Sequence, residues 1–137
     1  MHVDKAAGLS TTDSAIATGN DALSILTVER DNIAILTVHG SLDLLTATHL
    51  ATAVGDALKS QPHGVIIDLT ATEFLASAGM TALFTAYEAT TPVPFGVVAA
   101  GPSTARPLKL VGLDHTFALY PTLDEALTAT AAASPKP

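Results

Sequence analysis

The chain has 137 residues, no cysteine, and thirteen Asp and Glu against six Lys and Arg, for a formal charge of −7. That length fits one domain and excludes a multidomain enzyme, while the missing cysteine excludes disulfides, thiolate metal sites and thiol nucleophiles. With 48% hydrophobic but only 4% aromatic residues, the core must be aliphatic, and the net acidity points away from nucleic acid and membrane surfaces toward a protein or small-ligand partner.

Residues 1–21 and 132–137 carry no apolar period and are expected to be flexible tails around a single domain at 22–131. No basic start precedes an apolar run, and the uncharged stretches are too short or broken by proline to cross a bilayer, so the expected location is cytoplasmic, without membrane insertion. Leu23–Val28 and Ile33–Val38 are β-branched runs separated by Arg30-Asp31-Asn32, the pattern of an antiparallel hairpin, with Gly40 expected to end the second strand. Between Leu44 and Ser60, the apolar residues Ala47, Leu50, Ala51, Val54, Ala57 and Leu58 repeat as one face of a helix, with Thr46 as its N-cap and Pro62 beyond its end.

Val65-Ile66-Ile67 is apolar throughout, as a strand covered on both faces would be, and it leads through Asp68-Leu69-Thr70 into a loop. A second helix is predicted over 77–89, with Ser77 as N-cap, Met80, Leu83, Phe84 and Tyr87 buried, and Ser77, Thr81, Thr85 and Glu88 on the polar side. Pro94–Ala99 reads as another central strand, Ser103 or Thr104 as the cap of a short helix tolerating Pro107, and Gly112 as its left-handed terminus. A last strand near Thr116–Leu119 precedes the capping box Thr122-Leu123-Asp124-Glu125, which opens a helix through Ala131. The order ββαβαβαβα describes an α/β domain of about five strands, parallel after an N-terminal antiparallel hairpin, covered by about four helices.

Chemistry-bearing residues are sparse. His2, His39, His49, His63 and His115 form no metal-ligand spacing with a carboxylate, and no phosphate-binding glycine loop or nucleophile elbow occurs, so neither a metal nor another cofactor is expected. Asp56, Asp124 and Glu125 fall on helix surfaces or in a cap, whereas Asp43 and Asp68 follow strand ends, where open α/β sheets place functional groups and where turns also need an acid. The most informative stretch runs from Asp68 to Met80. The turn Ala78-Gly79-Met80-Thr81 carries no acid, so a phosphate on Ser77 would meet amide donors and a favourable helix dipole, and the small Ala76, Ala78 and Gly79 leave the hydroxyl open to another protein.

Gly40-Ser41-Leu42-Asp43-Leu44-Leu45-Thr46, Val65-Ile66-Ile67-Asp68-Leu69-Thr70 and Glu73-Phe74-Leu75-Ala76-Ser77-Ala78-Gly79 together resemble the STAS domain of bacterial anti-sigma factor antagonists, and the likeness continues through Arg106–Leu113 to cover roughly 22–130. This resemblance implies a single STAS-like domain that is not an enzyme. It implies an antagonist that binds an anti-sigma factor of the GHKL-type serine kinase class, frees the sigma factor, and is switched off when that kinase phosphorylates Ser77. The ATP site would lie on the partner, and Asp43, Ala76, Ser77, Ala78, Gly79, Met80 and Thr81 would form the partner-binding surface. Two positions depart from the family pattern: Ala76 stands where an aspartate is usual, and Ala78 where a second Ser or Thr is usual.

Those departures motivate an alternative, a non-phosphorylated STAS docking subunit of a signalling assembly or transporter, in which Ser77 only caps its helix. A lesser alternative is a small-ligand binder or hydrolase using Ser77 as nucleophile, for which the sequence supplies no evident activating base, His39 and His49 included.

Overall fold

The structure, a computed structural model, describes residues 16–20 and 22–133. Among them seven strands form one mixed sheet: β1 (Ile16–Asn20), β2 (Leu23–Arg30), β3 (Ile33–Leu42), β4 (Gly64–Asp68), β5 (Thr72–Leu75), β6 (Phe95–Val98) and β7 (Ala118–Tyr120). The helices are α1 (Ala47–Leu58), α2 (Ser77–Thr90), α3 (Ala105–Leu110) and α4 (Leu123–Ala133), with a 3-10 turn at Leu113–His115. The sheet runs β1-β2-β3-β4-β6-β7, and β5 pairs separately with β3.

The β2–β3 hairpin closes on Asp31 and Asn32, whose φ of 52° and 66° are the left-handed values of the turn that matches strand twist. Its register pairs Arg30 with Ile33 and Leu23 with Gly40. Every later pairing is parallel, as helical crossovers between successive strands require.

Side chains alternate across the sheet and divide the core in two. Ala34, Leu36 and Val38 of β3, Val65 and Ile67 of β4, and Val97 of β6 enter the larger cluster with Leu50 and Val54 of α1, Leu83 of α2 and Leu108 of α3. Ile33, Ile35, Ile66 and Val98 enter a smaller one with Ala126 of α4. The apolar run of β4 is therefore buried at every position, as a strand covered on both faces must be. Four of the six aromatics gather where α2 meets β6, with ring centroids 6.3 Å apart for Phe84 and Tyr87, 5.9 Å for Tyr87 and Phe95 and 5.5 Å for Phe95 and Phe117.

Several expectations need correction. The domain begins before residue 22: Ile16–Asn20 is an edge strand, paired from Ile16 opposite Thr27 to Asn20 opposite Leu23. Its small, polar composition gives no alternation to read, because the pairing is made by backbone groups. Residues 1–15, 21 and 134–137, the remaining parts of the expected tails, lie outside the described residues, and α4 continues to Ala133 rather than ending at Ala131.

Gly40 does not end its strand. Its φ of 104° and a register shift between Gly40 and Ser41 carry β3 on to Leu42, and a Cβ at Gly40 would stand 2.3 Å from the Ala22 carbonyl oxygen. β3 leaves β4 after Thr37 and from Gly40 takes β5, a strand absent from the sequence reading, as its parallel neighbour, with the bulge inside this second pairing. The last strand lies at Ala118–Tyr120, shifted from Thr116–Leu119. The capping box does form, with the Glu125 N–H donating to Thr122 Oγ1 at 3.2 Å, and Gly112 adopts the left-handed φ of 81°.

Candidate functional site

The bulge in β3 builds the site. Beyond it, Leu42 pairs with Leu75 at the end of β5, and the chain then turns directly into α2. The Ala76 N–H donates to the Leu42 carbonyl at 3.0 Å. A Cβ at Gly79 would lie 2.4 Å from that same oxygen and 2.9 Å from Leu75 Cδ1, so the first turn of α2 rests on the end of β3 at a distance only glycine allows. Because Asp43 follows Leu42, this contact places the Asp43 turn beside the start of α2.

Ser77 is not the N-cap. Ala76 holds that position, with extended φ and ψ of −91° and 172° and no side-chain cap bond, and Ser77 is the first helical residue. Its side chain is exposed, and its hydroxyl has no hydrogen-bond partner among the described residues. The first turn of α2 contains no acidic residue. Its leading amides thus receive no side-chain acceptor from the cap, and no first-turn acid offsets the positive end of the helix dipole.

Asp43 is arranged in the opposite way. Its Oδ1 accepts from the Leu45 N–H at 3.0 Å and the Thr46 N–H at 3.2 Å, and its own N–H donates to Thr46 Oγ1 at 2.9 Å. The Thr46 hydroxyl lies 2.7 Å from the Ser41 carbonyl oxygen and 3.1 Å from Asp43 Oδ1. Thr46 occupies the expected N-cap position of α1 but makes no side-chain bond into the helix; the Asp43 carboxylate holds the turn instead. Asp68 is likewise a turn residue, buried and accepting from the Thr70 N–H at 3.0 Å and the Thr70 hydroxyl at 2.8 Å.

Of the expected surface residues, Ser77 and Thr81 are exposed, Asp43, Ala76, Ala78 and Met80 are half-buried, and Gly79 is buried. Gly79 therefore acts by letting helix and strand approach rather than by touching a partner. Two grooves flank this ridge. One, of about 530 Å³, runs between α1 and α2 past Leu44, Ala51, Ala78 and Thr81. The other, of about 340 Å³, runs between α2 and the turn after α3 past Ser77, Met80, Thr81, Phe84, Val111 and Leu113.

The sequence reading missed the apolar residues around these grooves. Leu44 and Leu45 are 78% and 84% exposed, Leu110 and Val111 75% and 58%. Phe84, expected in the core, is 37% exposed because Leu83 and Ala86 take the buried positions. The adjacent pairs Leu44-Leu45 and Leu110-Val111 were the available signal, since each sits at a helix boundary, beyond the buried positions of its helix.

Among the described residues, no group of three or more His, Asp or Glu could hold a metal ion, and no helix is long and apolar enough to cross a membrane. What the site offers is a reachable serine between two grooves edged by exposed apolar side chains.

Residues 24–126 match the STAS domain family. The chain belongs to that family, whose fold the mixed sheet and its covering helices reproduce. It is 41% identical over 109 residues, 79% of this chain and 89% of the relative, to the anti-sigma-F factor antagonist RsfB of Mycobacterium tuberculosis. A crystal structure of an anti-sigma factor antagonist from Mycobacterium paratuberculosis superposes with a TM-score of 0.77 at 43% identity, covering 83% of this chain and 98% of that one. A putative anti-sigma factor antagonist from Thermotoga maritima, at 20% identity and a TM-score of 0.70 over 77% of this chain and 92% of its own, shares the fold.

Proposed function

We propose that this chain is a cytoplasmic anti-sigma factor antagonist: it docks an anti-sigma factor through the start of α2 and the Asp43 turn, and so frees a sigma factor. The docked partner is a GHKL-type serine kinase, and transfer of a phosphoryl group from its ATP to the Ser77 hydroxyl ends the docking. The protein is a regulatory switch and performs no catalysis itself. The observation that carries this reading is the state of Ser77, exposed and unbonded at the head of a helix whose first turn has no acid. The relatives named as antagonists, 41% and 43% identical, add the partner class.

The physics of such a switch is local. A phosphate adds about 1.5–2 negative charges and strong acceptor oxygens. At the first turn of α2 it meets amides that no cap side chain occupies and the helix dipole, so the modification is accommodated without melting the helix. The same charge sits between two apolar grooves that have to close against the partner, and burying it there is unfavourable. Ala76 bears on the same balance, because an aspartate at that position would occupy the amides and repel the phosphate.

The test pairs binding with intact mass, using purified anti-sigma factor from the source organism with and without ATP and magnesium. The expected result is micromolar or tighter binding, an ATP-dependent phosphate on the wild type that is missing from Ser77→Ala, and loss of binding in Ser77→Glu. Binding without phosphate transfer would favour the constitutive docking subunit suggested by Ala76 and Ala78. Absence of binding would overturn the reading.

A further inference from the structure

We infer that α3 and the turn following it form a second arm of the docking surface, and that this arm receives an acidic, apolar-edged segment of the same partner; the inference rests on the docking reading above. Charge is the first observation. In a chain with thirteen acidic and six basic residues, Arg106 and Lys109 stand one turn apart on a single short helix, both exposed and without an ion pair among the described residues. Lys59, by contrast, pairs with Asp56 at 3.3 Å, and Arg30 sits next to Asp31 at the hairpin turn. Asp114, the acid nearest in sequence to α3, lies 3.9 Å from His115 Nε2. The helix is thus a locally basic spot on an acidic protein.

Apolar exposure is the second observation. Leu110 and Val111 close α3 as the two most exposed large apolar residues outside the Asp43 turn. The third is continuity: Val111 lines the same groove as Ser77, Met80 and Phe84, while Arg106, Lys109 and Leu110 border the next depression along α3. A partner seated over Ser77 therefore extends onto α3 without a gap, and apolar anchors rimmed by cations fit a segment carrying leucine-like side chains and carboxylates. On a surface that otherwise repels acids, this arrangement also sets the orientation of approach.

The experiment measures affinity for the source organism's purified anti-sigma factor at low and high salt. The variants are the double change Arg106→Glu with Lys109→Glu, the single change Val111→Asp, and a control carrying Arg30→Glu with Lys59→Glu, each checked by thermal melting. The expected result is a loss of about tenfold or more in affinity for both α3 variants, with the salt dependence lost or reversed in the double variant and the control within about twofold of wild type. If Val111→Asp lowers the melting temperature, Val111→Ser replaces it and is expected to weaken binding about threefold or more. Wild-type affinity in folded α3 variants, alongside lost binding in Ser77→Glu, would overturn the second arm and leave the docking reading intact. A wild-type protein that binds no anti-sigma factor would overturn both.

Discussion

The Asp43 turn and the Ser77 turn lie side by side at the end of β3 and are built by opposite means. At Asp43 the polar groups are turned inward on the turn itself: Oδ1 accepts two backbone N–H bonds, the backbone N–H is taken by Thr46, and Thr46 reaches back to Ser41. At Ser77 the hydroxyl is unbonded and the cap residue is an alanine. The Asp43 side chain holds its own turn. The Ser77 turn leaves its hydroxyl unused, and backbone contact between Leu42 and the first turn of α2 holds the start of the helix without a side-chain cap.

The largest effect should come from breaking that backbone contact. Gly79→Ala puts a Cβ 2.4 Å from the Leu42 carbonyl, and despite a helix-propensity gain of about 1 kcal/mol it is expected to destabilise the domain by about 1–3 kcal/mol in urea unfolding. Asp43→Ala removes the acceptor on which its turn depends and should cost about 1–2 kcal/mol, whereas Asp43→Asn, which retains an acceptor oxygen, should lose less than half of that.

Supplying the missing cap tests the other turn. Ala76→Asp places a carboxylate at an N-cap with extended backbone and should stabilise the protein by about 1 kcal/mol in the same assay. By occupying the amides available to a phosphate, it should also slow or weaken modification of Ser77. The smallest expected effect is that of Ser77→Ala, which removes no hydrogen bond. Its unfolding free energy should stay within about 0.5 kcal/mol of wild type while phosphate incorporation is lost. A large destabilisation by Ser77→Ala would show that the serine is scaffold like Asp43, and the contrast between the turns would fail.

Much of the fold was legible because it is locally encoded. The hairpin, the α1 stripe, the apolar β4 run and the Thr122–Glu125 box each declare themselves within a few residues, through periodicity or cap chemistry. The elements that were missed, β1 and β5, have no such signature: Ile16–Asn20 and Thr72–Leu75 are strands because β2 and the bulged end of β3 offer them backbone partners. α2 begins at residue 77 as expected, but its cap was misplaced by one residue for a related reason. Serine is the better cap by intrinsic preference, but the bond from Ala76 to Leu42 and the close approach at Gly79 decide where the helix begins.

The candidate site divides in the same way. Asp43 and the Ala76–Thr81 segment were identified in the sequence through their motif, while the flanking Leu44, Leu45, Phe84, Leu110 and Val111 became visible only as exposed surface. Thus the sequence by itself determined an acidic, cysteine-free α/β domain with an aliphatic core and a serine at a helix start, since composition, apolar period and motif are local properties. The tertiary structure alone decided that β3 would bend from β4 to β5, that Asp43 would be spent on its own turn, and that Ser77 would stand free between two apolar grooves. Those outcomes depend on backbone contacts between residues far apart in the chain, which no local pattern records.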